Sequence, residues 1–83
     1  MDLYIEMNAF SKKLKTAPSK DDQATIRELI AKTEASKSPH TAKTVEQLRY
    51  AEAAILNGSF EKAATAVGTA SFFRGGSAGA VGR

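Results

Sequence analysis

Three short breaks in an otherwise helical pattern constrain the fold of this chain more than any other feature of its sequence. They lie at Pro18-Ser19, Ser36-Lys37-Ser38-Pro39 and Asn57-Gly58. Proline does not fit a helix interior, serine ahead of a helix caps its first N–H groups, and glycine adopts the left-handed conformation that ends a helix. The breaks therefore predict four helical segments.

Apolar residues recur at helical spacing within each of these segments. The residues predicted to face inward are Leu3, Met7, Phe10 and Leu14, then Ile26, Leu29, Ile30 and Thr33, then Val45, Leu48, Tyr50, Ala51 and Ile55, and finally Phe60, Ala63, Ala64 and Val67. No stretch alternates between apolar and polar residues for long enough to form a strand. We predict an all-α fold, a small bundle of three to four short helices with a Gly/Ala-rich C-terminal tail.

The last part of the chain differs in composition from the rest. Residues 63–83 contain two charged residues, Arg74 and Arg83, and five of the six glycines. Glycine, alanine and serine offer too little side chain to build a core. We therefore predict a single helical domain over residues 1–73 and a tail over residues 74–83 that is flexible or ordered by a partner.

The chain has 83 residues and no cysteine. A domain of this size buries a limited share of its unfolded surface, and neither a disulfide nor a thiolate metal site can reinforce it. Residues 1–6 lack the basic and apolar regions of a secretion signal, and no run of ~18 apolar residues is present. We expect a cytoplasmic or virion-associated protein, of bacterial or viral type, that does not bind membranes.

No residue pattern indicates catalysis, a cofactor or a metal site. His40 is the single histidine and has neither a cysteine nor a second histidine with which to share a metal ion. Phosphate-binding loops place glycines ahead of a helix, whereas Gly75, Gly76, Gly79 and Gly82 follow the last predicted helix. We therefore expect a protein that is not an enzyme and has no cofactor or small-molecule substrate.

Residues 51–70 resemble one helical hairpin of the tetratricopeptide-repeat family. The matching positions are Ala51, the string Gly58-Ser59-Phe60-Glu61-Lys62-Ala63, and Ala70. The resemblance implies an α-hairpin in which the glycine makes the turn, small residues let the helices approach, and the aromatic residue fills the gap. That family stacks repeats of ~34 residues. Because no counterpart lies one repeat upstream, the resemblance extends to a single hairpin.

The same stretch also resembles the start of a LysR-type winged-helix DNA-binding domain. The matching positions are Leu48-Arg49-Tyr50, Gly58-Ser59-Phe60, Ala63-Ala64 and Val67-Gly68. The resemblance implies a helix-turn-helix-like corner over residues 48–74, with residues 69–75 as the DNA-reading segment. Residues 69–76 depart from that pattern. They contain only one side chain suited to contact a DNA base, and they have two glycines where the DNA-reading helix must continue.

Phe72, Phe73 and Arg74 support the main functional prediction. Adjacent residues point about 100° apart on a helix, so both aromatic rings cannot face the same small core. Aromatic residues and arginine contribute most of the binding energy at protein interfaces. We predict a non-enzymatic protein–protein interaction module, a small adaptor, inhibitor or assembly subunit. It docks on another protein or a copy of itself through Phe72, Phe73, Arg74, Gly75 and Gly76.

The alternative is a small basic protein that binds nucleic acid. The net charge is +3 and the isoelectric point is near 9.4. The candidate phosphate contacts are Lys12, Lys13, Lys15, Lys20, Arg74 and Arg83. This alternative requires the six side chains to lie on one face of the protein.

Overall fold

The computed structural model describes residues 3–73, which form four α-helices and no strand. The helices are α1 (Leu3–Thr16), α2 (Asp22–Ser36), α3 (Thr41–Leu56) and α4 (Phe60–Phe72). The prediction of an all-α bundle is confirmed. Residues 74–83 lie outside the described residues, so their assignment to a tail stays a prediction.

A serine opens the turn that leads into α2 and another opens the turn that leads into α3. The Ser19 hydroxyl accepts a hydrogen bond from the backbone N–H of Asp21 at 3.0 Å, and the Ser19 N–H donates to the Asp22 carboxylate at 2.8 Å. The Ser38 hydroxyl likewise accepts from the backbone N–H of His40 at 3.3 Å. Each helix therefore begins three residues after its serine, two residues later than a serine N-cap predicts.

Gly58 ends the α3 segment as the sequence predicts. Its φ angle is +77°, its N–H donates to the Ile55 carbonyl at 2.9 Å, and the next N–H, of Ser59, donates to the Ala54 carbonyl at 2.8 Å. These two bonds form the Schellman arrangement, which satisfies the last carbonyls of a helix. The short turn joins α3 and α4 into the hairpin that the tetratricopeptide-repeat resemblance implies.

Helix α4 is central to the packing. It packs extensively against both α1 and α3, whereas α2 packs mainly against α3 and contacts α1 little. The buried residues of α4 are all small, and they are Ala63, Ala64, Ala66, Val67 and Ala70. Small side chains allow two neighbouring helices to lie close to α4. The first and last helices of the described chain are therefore neighbours.

The larger core side chains come from the other three helices. Met7, Leu14, Ile26 and Leu48 are fully buried, as their spacing predicts. The prediction for Tyr50 was wrong, because this side chain is 56% exposed. The buried residues of α3 are Thr44, Leu48, Ala51, Ala54 and Ile55. Tyr50 falls outside this stripe.

Candidate interaction surface

The outward face of α4 carries no charge between Lys62 and the helix end. Its residues are Thr65, Gly68, Thr69, Ser71 and Phe72. The hydroxyls of Thr65 and Thr69 donate to carbonyl oxygens four residues earlier, at 3.1 and 3.0 Å, and the Ser71 hydroxyl donates to the Gly68 carbonyl at 2.7 Å. Because these hydroxyls bond within the helix, the face presents methyl groups and small residues to its surroundings.

Phe72 is the most exposed large apolar residue in the part of the chain that the structure describes, at 81%. Together with Ile5, which is 52% exposed, it lines a cleft of about 490 Å³ between α1 and α4. Phe73 is half-buried. The expectation that one of the two aromatic residues is exposed is therefore met by Phe72. The other predicted contact residues, Arg74, Gly75 and Gly76, lie outside the described residues.

Helices α1 and α4 approach closely along the seam beneath this cleft. The Ser11 hydroxyl donates to the Ala64 carbonyl at 2.7 Å. A Cβ atom added to Gly68 would lie 3.3 Å from the Ser11 oxygen, so glycine permits the approach of Ser11. Further along the seam, a second cleft of about 560 Å³ is lined by Leu14, Lys15, Pro18, Phe60, Glu61 and Thr65.

The structure places the predicted phosphate contacts in different surroundings. Lys12 and Lys15 are exposed and line the same cleft as Phe72. Lys13 instead forms an ion pair with the carboxylate of Asp22, a residue only 2% exposed. Lys20 is exposed in the connection between α1 and α2 and lines neither cleft. The two remaining cations, Arg74 and Arg83, lie outside the described residues.

A groove between α3 and α4 borders the other side of the α4 face. Tyr50 and Lys62 line it, together with Ala53, Ala66 and Thr69. Helical periodicity does separate Tyr50 from the core, because at 100° per residue it lies more than 100° from the centre of the stripe of Thr44, Leu48, Ala51 and Ile55. The outward face of α4 therefore has Ile5 and Phe72 at one end and Tyr50 along one side. We call this surface, with its two bordering grooves, the α4 surface.

Helix α4 runs without interruption through Gly68 to Phe72. The LysR-type resemblance implies a separate reading segment that begins at Thr69, but residues 69–72 form the last turn of α4. Within residues 3–73 no separate DNA-reading helix is present. The helix-turn-helix-like corner is thus limited to the α3–α4 hairpin.

Residues 3–73 contain no group of three or more His, Asp or Glu residues placed to hold a metal ion. Contrary to the expectation that no residue pattern indicates catalysis, Gly75-Gly76-Ser77-Ala78-Gly79 has the spacing of a nucleophile elbow. Such an elbow joins a strand to a helix, and this string lies outside the described residues. No helix of residues 3–73 has the length and apolar character needed to cross a membrane.

Comparison with known proteins finds no match to this chain among protein-family models, curated proteins or solved structures.

Proposed function

We propose that this chain is a protein–protein interaction module, a small adaptor, inhibitor or assembly subunit that docks on its partner through the α4 surface. The observation that supports the proposal is the exposure of Phe72, 81%, at the end of a helix face without charges. A large aromatic side chain is costly to leave in water and is a typical anchor of an interface. Ile5 lines the same cleft and widens the apolar contact.

The ion pair of Lys13 favours this proposal over nucleic-acid binding. Lys13 neutralises the buried carboxylate of Asp22, so it is not free to contact a phosphate without leaving that carboxylate unpaired. The cations that remain exposed near the cleft, Lys12 and Lys15, border an apolar surface instead of forming a continuous basic face. Phosphate-dependent binding needs a denser array of cations.

The test compares two substitutions at the last residues of helices. Phe72→Gln removes the proposed anchor at the end of α4, and Leu56→Gln changes a residue that is 64% exposed at the end of α3 and lines none of the clefts beside α4. Because both side chains are exposed, we expect each variant to keep its helix content and to change the free energy of unfolding by less than about 0.5 kcal/mol.

Affinity purification from source-cell extract then separates the two variants. Proteins retained by the unmodified chain should also be retained by Leu56→Gln, and they should be lost from Phe72→Gln and from a chain that ends at Ser71. Retention of the same proteins by Phe72→Gln and by the shortened chain would show that Phe72 is not the anchor.

A further inference from the structure

Unpaired lysines border the α4 surface on both sides. Lys12 and Lys15 lie along the α1 side, and Lys62 lies along the α3 side, where it lines the groove with Tyr50. All three lysines are exposed, and none forms an ion pair with a described residue. Glu61 is the one acidic residue that lines these clefts, where it lies with Lys15 on one side and with Lys62 on the other, and three lysines against one glutamate leave the surface with an excess of positive charge.

The ion pairs of the protein lie away from this surface. Among residues 3–73, all four ion pairs involve α2. Lys13–Asp22 and Lys32–Glu6 join it to α1, and Arg27–Glu52 and Arg49–Glu34 join it to α3. Helix α4 takes part in none of these pairs and is held by apolar packing and the hydrogen bond from Ser11 to the Ala64 carbonyl, and the lysines beside it have no ion-pair partner among residues 3–73. Their charge is available to a molecule that covers α4.

We propose that the partner of the α4 surface is a helix with an apolar stripe flanked on both sides by acidic residues. This inference rests on the proposed function and names the chemistry of its partner. The apolar stripe matches the uncharged face from Thr65 to Phe72, which presents the methyl groups of Thr65 and Thr69 and the ring of Phe72. The acidic residues match Lys12 and Lys15 on one side and Lys62 on the other.

Charge argues against a second copy of this chain as the occupant. Both borders of the α4 surface carry lysines, so two copies packed face to face would bring two positively charged surfaces together, with Glu61 as the one acidic residue lining the clefts of each. Like charges brought together in an interface oppose association and select against the wrong partner. A helix with acidic flanks would instead place carboxylates beside the lysines at each border.

Three synthetic peptides test the proposal directly. Each forms an amphipathic helix of about 18 residues, roughly 27 Å long, with an identical Ala/Leu stripe and with flanks of glutamate, glutamine or lysine. We expect fluorescence anisotropy at low salt to show that the glutamate peptide binds roughly fivefold to tenfold more tightly than the glutamine peptide. The lysine peptide should bind least, and the difference should shrink at ~0.5 M salt.

Two triple variants identify the lysines that are responsible. Lys12→Gln with Lys15→Gln and Lys62→Gln should remove the preference for glutamate. Lys20→Gln with Lys37→Gln and Lys43→Gln changes the net charge equally at exposed residues that line none of these clefts, and it should keep the preference. Equal loss in both triple variants would mean that net charge alone attracts the peptide, which would overturn the proposal.

The remaining outcomes separate this inference from the proposed function. Equal affinity for the glutamate and glutamine peptides, lost in Phe72→Gln, would overturn the acidic partner and leave the docking role intact. If no peptide binds, the acidic partner is also overturned. The docking role is then still tested by the affinity purification with Phe72→Gln and Leu56→Gln. A dimer in sedimentation that Phe72→Gln abolishes would assign the surface to a second copy. Displacement of the glutamate peptide by a random-sequence oligonucleotide would assign it to nucleic acid.

Discussion

Thr44 is a fully buried residue whose hydroxyl has no hydrogen-bond partner among residues 3–73. Burying a hydroxyl without a partner costs about 1–3 kcal/mol. Thr44→Val keeps the branched shape and removes the polar atom, so we expect it to raise the free energy of unfolding by about 1 kcal/mol and Tm by ~4–8 °C. Urea unfolding followed by circular dichroism measures the change.

Thr33 provides the matched control, because it is also fully buried but its hydroxyl donates to the Leu29 carbonyl at 2.7 Å. Thr33→Val removes a hydrogen bond worth about 1 kcal/mol, so stability should stay constant or fall. A similar gain in both variants would attribute the effect to valine packing instead of the unpaired hydroxyl. The sequence predicts that Thr33 faces inward. Whether the hydroxyl of Thr33 or of Thr44 has a hydrogen-bond partner depends on neighbouring atoms that the spacing of residues along the helix does not identify.

The ends of α2 and α3 use the same backbone conformation with different residues. Lys37 follows α2 with φ +50°, and Gly58 follows α3 with φ +77°. A left-handed conformation costs a non-glycine residue about 1 kcal/mol. We expect Lys37→Gly to raise the free energy of unfolding by about 0.5–1 kcal/mol and Gly58→Ala to lower it by about 1 kcal/mol. Chemical denaturation measures both.

Lys37→Ala separates the backbone effect from the loss of the side chain. It keeps a Cβ atom in the left-handed conformation, so its stability should match that of the unmodified protein within a few tenths of a kcal/mol. A Cβ atom at Gly58 would meet nothing within 4 Å, so the cost of Gly58→Ala comes from conformation and not from a clash. If Lys37→Gly and Lys37→Ala are equally stable, the left-handed strain is absent.

Local signals in the sequence account for the helices better than for their arrangement. Proline, serine and glycine at the breaks predicted the number and order of the helices, because these residues act on the backbone nearby. The exposure of one of the two adjacent phenylalanines also followed from helix geometry. The residues that line a cleft together with Phe72 could not be predicted. Ile5, Lys12 and Lys15 line this cleft only because the first helix packs against the last.

At the scale of the whole molecule, ion pairs and apolar packing are distributed differently. Helix α2 takes part in all four ion pairs of residues 3–73, while α4 has the most extensive packing and contacts two helices. Three of these pairs lie at the surface and contribute about 0–1 kcal/mol each, whereas Lys13–Asp22 involves a buried carboxylate. We therefore expect α2 to open independently while the α3–α4 hairpin stays folded.

Native-state hydrogen exchange tests this order of opening. Amides of α2 should exchange faster than those of Leu48 to Ile55 in α3 and Ala63 to Ala70 in α4, because regions with fewer buried contacts open at lower free energy. The informative variant is Val67→Ala, which removes fully buried methyl groups from α4 and should cost about 2 kcal/mol.

Val67→Ala should accelerate exchange in α4 about thirtyfold, since those amides exchange through an opening that loses the Val67 packing. It should leave the α2 amides unchanged, because the state in which only α2 is open keeps Val67 packed. Leu29→Ala in α2 is the reciprocal control and should accelerate every helix, since the Leu29 packing is lost in both openings. Equal acceleration of α2 and α4 by Val67→Ala would show that the four helices unfold as one unit.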